Sequence, residues 1–178
     1  MDEKLKAYVA GPDGFSESGK IFHKDVFLPL IRESGIEVID PWQLDEKIQC
    51  SLDKALLMPY SDEKIKRLCK INRDIGLLNE IKIKNSDLII ANLDGKDVDS
   101  GTAAEIGFGY ALGKFIEGYR SDFRVSGDNC GGMVNLQVEY FIRKSGGDIS
   151  ISIDKLKNRL ELLVGAYNCC GTLDGKYL

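Results

Sequence analysis

Glu105 is the residue of this chain whose position most needs a chemical reason. It sits in DVDSGTAAEIGFGYALGK, residues 97–114, directly before an apolar, glycine-dotted segment. A carboxylate on its way into a core is costly unless it is paired, hydrogen-bonded or used. One explanation is a helix N-terminal acid favoured by the macrodipole, worth well under about 1 kcal/mol. The other is chemistry, since Gly101 and the alanines at 103 and 104 leave space for a substrate to approach. Asp99 lies six residues earlier, so two carboxylates can flank one ligand. Two acids in different environments suit cleavage of a glycosidic bond, one as nucleophile and one for proton transfer. Tyr8, beside the small Ala10 and Gly11, is either an ordinary core tyrosine or a hydroxyl that orients a carboxylate. Asp94 in NLDG is explained as well by an Asp-Gly turn as by ligand contact.

Other residues carry weaker signals. Trp42 fits a lid or stacking aromatic and a core position equally. Asn135 and Gln137 lie two apart at a helix start, where capping accounts for Asn135, although both amides also suit sugar hydroxyls. His23 reads as a surface or partly buried helix residue without a role. The five cysteines (50, 69, 130, 169, 170) form no CxxC pair and read as reduced, structural thiols. With a single histidine, the chain has few soft metal ligands, and a structural zinc site is not expected.

Composition narrows the classes. The 178 residues suit one domain spanning 1–178, with 43% hydrophobic and 29% charged residues. A net charge of −4 offers no global attraction for nucleic acid or acidic membranes. The first residues, MDEKLKAYVAGP, lack the apolar stretch of a signal peptide, and nothing later reaches spanning length, so a cytoplasmic protein is expected.

The elements that must position these residues alternate. LKAYVAG and GIEVIDP read as strands, with an amphipathic helix between them that stops at Ser34-Gly35. The polar stretch from about 43 to 62 has weak periodicity and is expected to cover an edge or rim. A long helix follows, Ser61 to Lys84, then NSDLIIANLDG, a continuous apolar run of the kind buried on both faces of a parallel sheet. Thr102 to Lys114 reads as a helix with Glu105 three or four residues in, KFIEGYR as a short fourth strand, and MVNLQVEYFIRKSG and IDKLKNRLELLVGAY as closing helices. The tail CCGTLDGKYL has no usable pattern. Such alternation implies βαβ units with right-handed crossovers, and ligands then bind at the carboxyl ends of the strands. That rule gathers AYVAGPDGF, IDPWQ and ANLDGKDVDSGTAAE around one crevice. The glycines of GFGYALG lie inside or at the end of their helix, so they fit close packing rather than a dinucleotide loop. AGPDGFS lacks the GxxxxGK[ST] spacing, and Asp13 would repel phosphate.

Taken together, Y-x-A-G-P-x-x-F near the start, NSDLIIANLDG, DSGTAAEIGFGYALGK and GYRSDFR with VNLQVEYFI resemble the nucleoside 2-deoxyribosyltransferases, from about residue 6 to 143. The resemblance implies a flavodoxin-like (Rossmann-like) α/β fold, a parallel sheet of about five strands with helices on both faces. It implies transfer of 2-deoxyribose between purine or pyrimidine bases, with deoxynucleosides and free bases as substrates, no cofactor, and a homo-oligomer, dimer or hexamer. On that pattern Glu105 is the nucleophile, Tyr8 orients it, and Asp99 binds substrate and assists proton traffic. Gly11, Pro12, Phe15, Trp42, Asp94 and Gly101 belong to the substrate-binding set. Asn135 is donated to a neighbouring subunit's sugar site, with Gln137 on the same segment. One departure stands out. Many members carry an aspartate eight residues before the acid that opens the NSDLIIANL-type strand, where it helps protonate the departing base. Counting back from Asp87 reaches Asn79, an amide that binds a base but donates no proton as an acid does. Asp99 or Asp74 is then the candidate for that task. The rivals are a nucleoside 5′-monophosphate N-glycosidase and a non-enzymatic nucleoside or nucleotide sensor.

Overall fold

The computed structural model describes residues 4–171 and residue 173. Five strands form one all-parallel sheet: β1 (Lys6–Ala10), β2 (Glu37–Ile39), β3 (Leu88–Asn92), β4 (Phe115–Tyr119) and β5 (Ile149–Ser150), in the order β2-β1-β3-β4-β5. This is the flavodoxin-like order, whose direction of winding reverses between β1 and β3. Every residue of β3 is buried, which is why its sequence is apolar without alternation. The two-residue β5 is too short to show any period in sequence.

Successive β1 residues serve opposite faces. Ala7 and Val9 join a core with Phe27, Ile31, Ile90, Leu156 and Leu160, while Tyr8 and Ala10 join Ile89, Ile106, Ile116, Val138 and Ile142 on the other side. On the first face lie α1 (Glu17–Phe22), a π-turn (His23–Phe27), α2 (Leu28–Glu33) and the closing α7 (Ile153–Cys170). On the second lie α4 (Asp62–Lys84), α5 (Ser100–Ala111) and α6 (Leu136–Lys144). Helices therefore cover both faces. Gly35 ends the first helical segment at φ 90°, a conformation that favours glycine.

The polar stretch expected only to cover a rim contains a twelve-residue helix, α3 (Glu46–Leu57), packed on α4. Its periodicity is helical after all: Ile48, Leu52 and Ala55 lie on one face, with Ala55 fully buried. Most of the tail beyond Cys170 lies outside the described residues. All five cysteines are free and exposed, so the structural role expected of them does not hold: none packs into a core. No described helix is long and apolar enough to cross a membrane.

Candidate active site

Helix α5 begins two residues before the expected Thr102 because Asp99 caps it. The Asp99 Oδ2 accepts the Thr102 N–H at 3.1 Å. Glu105 is therefore the sixth residue of the helix, not the third or fourth, and lies beyond the first turn where the macrodipole acts. Something else keeps it there. Four residues on, on the same helical face, Gly109 packs so close to β3 that an added Cβ would stand 2.2 Å from the Ile89 Cδ1. That approach lays α5 against the sheet and brings Glu105 down over β1. There the Tyr8 hydroxyl, fully buried, donates to Glu105 Oε1 at 2.5 Å.

The electrostatics follow from the surroundings. Burial raises the Glu105 pKa, the Tyr8 hydrogen bond pulls it down and the charge of Asp99 raises it again, for a net value of about 7. The Tyr8 hydroxyl is pushed well above its ordinary value by burial and then by the Glu105 and Asp40 carboxylates. It therefore stays protonated and always available as a donor. No cation pairs with Glu105 among the described residues.

Glu105 lines a cavity of about 390 Å³ between α4 and α5, together with Gly76, Asn79, Ile83, Gly101 and Phe108. A second recess of about 670 Å³ lies at the carboxyl ends of β1 and β3, lined by Pro12, Asp13, Phe15, Asp94 and Asp99 among others. Both volumes fall in the range of small-molecule sites. Asp99 and Gly101, two residues apart, place the two recesses on either side of the start of α5. Gly11 holds the turn after β1 tight, since a Cβ there would stand 2.9 Å from Asp13 Oδ2 and 3.0 Å from the Asn92 Cβ. Trp42 stands edge-on to Phe15, ring centroids 4.9 Å apart, and its indole leaves no space for a side chain at residue 14.

A family model described as nucleoside 2-deoxyribosyltransferase matches residues 7–141. The chain belongs to the nucleoside 2-deoxyribosyltransferase family. Among solved structures, a conserved protein from Enterococcus faecalis V583 is similar with a TM-score of 0.62 and 22% identity, covering 89% of this chain and 98% of that one. A 2-desoxiribosyltransferase from Leishmania mexicana matches with a TM-score of 0.58 and 22% identity, over 88% and 97% of the two chains. A 2-deoxyribosyltransferase from Bacillus psychrosaccharolyticus matches with a TM-score of 0.55 and 19% identity, over 86% and 91%. At such identities the likeness is one of fold. No curated protein matches.

In this member of the deoxyribosyltransferase family, Asn79 stands where the sequence departs from the common pattern, and it lines the cavity with Glu105. Its Oδ1 is buried without a hydrogen-bond partner among the described residues. Asp74, the other candidate acid on α4, is exposed and does not line that cavity. Asp94 braces the loops: its carboxylate accepts the backbone N–H groups of Ser121 and Asp122 and the Ser121 hydroxyl at 2.6–2.8 Å, while it also lines the second recess. Asn135 caps α6 through the Gln137 N–H at 3.0 Å. Neither Asn135 nor Gln137 lines the two recesses.

Two residues escaped the sequence. Arg120, 2% exposed, donates to the carbonyls of Leu93, Gly95 and Arg124 and so holds the loop after β3. His23, expected at the surface or partly buried and without a role, is 7% exposed and stands between the carboxylates of Asp13 and Asp40. Its spacing of four before Phe27 and eight before Ile31 placed it on the buried stripe, which was the available signal. Arg120 gave none. Among the described residues no cluster of three or more His, Cys, Asp or Glu side chains is arranged to hold a metal ion.

Proposed function

We propose that this protein transfers 2-deoxyribose between nucleobases through a covalent glycosyl-enzyme on Glu105. The observation that carries this reading is the state of that carboxylate. It is partly buried, paired with no cation, hydrogen-bonded by Tyr8 and open to a cavity of ligand size. A carboxylate so placed stabilises an oxocarbenium-like transition state and then bonds to it. In the first half-reaction a Glu105 oxygen forms a bond to the anomeric carbon while the bond to the base nitrogen breaks, and the departing base takes a proton. In the second half-reaction an incoming base attacks the same carbon, the ester to Glu105 breaks, and the incoming base loses its proton. Two inversions return the starting configuration.

Tyr8 holds the attacking oxygen in one orientation. Asp99 commits Oδ2 to the helix cap and keeps Oδ1 outside it, consistent with contact to substrate. Asn79 faces the base without supplying a proton, so Asp99 is the acid that serves the leaving group. Phe15 and Trp42 form an aromatic wall beside the second recess, and Gly11, Pro12 and Gly101 keep backbone close to the ligand. Asn135 serves the site of a second copy, with Gln137 beside it.

The test has two arms. Incubation with a deoxynucleoside, with and without an acceptor base, is expected to yield a new nucleoside only when the acceptor is present. Release of free sugar at the same rate in both would make the protein a glycosidase. Intact mass after exposure to a 2-fluorinated deoxynucleoside analogue is expected to show one sugar adduct on Glu105, and normal turnover without an adduct overturns the covalent step.

A further inference from the structure

The crevice is built from loops that follow three different strands, and one buried side chain connects them. His23 opens the π-turn between α1 and α2, a type of bulge that recurs at functional positions. Its Nε2 lies 3.2 Å from Asp40 Oδ1, in the loop after β2, and its Nδ1 lies 3.4 Å from Asp13 Oδ2, in the loop after β1. Asp13 Oδ1 accepts the side-chain N–H of Asn92, at the end of β3, at 2.7 Å. Asp40 Oδ1 also accepts the backbone N–H of Trp42 at 3.0 Å. Asp13 starts the short turn that carries Gly14 and Phe15, and those two residues pack on Trp42.

We infer that His23 is a positioning residue: bridging Asp13 and Asp40, it clamps the loops after β1 and β2 and so sets the aromatic wall against which a substrate is received. Two carboxylates, each about 6–7% exposed, repel one another unless a cation lies between them. Among the described residues no other side-chain cation forms an ion pair with either carboxylate. Lys82 of α4 donates instead to the backbone carbonyls of Asp40 and Gln43, which braces the same loop from below. Tyr8 of β1 feels the charge of Asp40, and Tyr119 of β4 that of Asp13; both are neutral phenols at ordinary pH. Burial alone would lower the imidazole pKa, but the carboxylates of Asp13 and Asp40, in ion-pair contact at 3.4 Å and hydrogen-bond contact at 3.2 Å, outweigh it and raise it to about 9. The clamp is therefore closed at neutral pH and opens as the medium becomes basic.

The consequence for substrate rests on the proposed transferase reading; the clamp itself does not. Trp42 is the only tryptophan, so its fluorescence reports the loop directly. In the wild-type protein its emission is expected to shift with a midpoint near pH 9, and His23→Gln is expected to abolish that transition. In His23→Gln the KM for a deoxynucleoside is expected to rise at least about five-fold while kcat stays within about two-fold. His23→Gln/Asp40→Asn, which removes one of the two charges, is expected to bring emission and KM most of the way back. A flat wild-type titration overturns the clamp even if His23→Gln fails to fold. A folded His23→Gln with wild-type emission and KM, whatever its Tm, also overturns it. If no deoxynucleoside is turned over, the transferase reading fails, and the fluorescence arms still decide the clamp.

Discussion

Two glutamates enter the interior of this domain on opposite faces of the sheet, and they are treated differently. Glu117 of β4, 1% exposed, meets the Arg159 guanidinium through two hydrogen bonds of 2.5 and 3.1 Å. It also accepts from the Asp148 N–H at 3.2 Å and the Ser150 hydroxyl at 3.4 Å. Burial raises its pKa, and Arg159 opposes that rise. Glu105 receives one hydroxyl and, among the described residues, no cation, and it faces a cavity. A fold that pairs one buried glutamate so fully has the means to pair the other. On the proposed function, the unpaired carboxylate at Glu105 is a group held ready for a ligand, since a buried charge without a counter-ion works against stability.

The comparison breaks most sharply by substitution of each acid. Glu105→Gln is expected to lower turnover by at least about 10³-fold, the range lost with an essential catalytic group. Its Tm at pH 8 should equal or exceed that of wild type; a marked fall would make Glu105 structural. Glu117→Leu should do the reverse. It leaves Arg159, whose side chain is 24% exposed, without its partner and is expected to cost about 3 kcal/mol of stability, the lower end for a broken buried pair. Activity per folded molecule should be unchanged, and chemical denaturation with active-site titration checks both halves.

Tyr8→Phe is expected to reduce kcat by roughly ten- to hundred-fold, the value of one hydrogen bond to a charged group. Because that hydrogen bond lowers the Glu105 pKa, its loss should also move the ascending limb of the pH profile upward from the wild-type value of about 7. An unmoved limb would separate Tyr8 from the titrating group. The same pKa bears on stability. Glu105 titrates at about 7 in the folded chain against an ordinary 4.5, so its contribution is fully present below 4.5 and is lost as pH rises through 7. His23, raised from 6.5 to about 9, contributes fully below 6.5 and loses its contribution through 9. Thermal melts from pH 5 to 9 should therefore decline, and the part between 5 and 7 should shrink in Glu105→Gln. The smallest effect expected is that of Asn79→Asp, which places an acid opposite Glu105. A gain of about two- to five-fold in kcat below pH 6 is anticipated, and no gain would remove Asn79 from the path of the leaving base.

Much of this arrangement was legible in the residues. The apolar run LIIAN read as a central parallel strand, and the small residues Gly101, Ala103 and Ala104 marked Glu105 as a carboxylate beside open space near a helix start. Helix α3 was missed although Ile48, Leu52, Ala55 and Leu56 recur at helical spacing, because its polar composition fits a rim segment equally well. The exact depth of Glu105 was missed by two residues, since capping by Asp99 depends on a backbone turn that composition does not encode. His23 carried the right spacing but the wrong expectation, because its partners lie 10 and 17 residues away, in loops that meet only when β1 and β2 pair.

By itself, the sequence determined which side chains face which layer, through the two-residue period of β1 and the continuous apolarity of β3, and it determined the chemistry available at the strand ends. Only the tertiary structure decided which of those groups meet. Gly109 lets α5 approach Ile89 and so sets Glu105 on Tyr8, while parallel pairing brings Asp13 and Asp40 to either side of His23. Distances between residues far apart in the chain come from packing, and the pKa of a carboxylate or an imidazole follows from those distances and from burial.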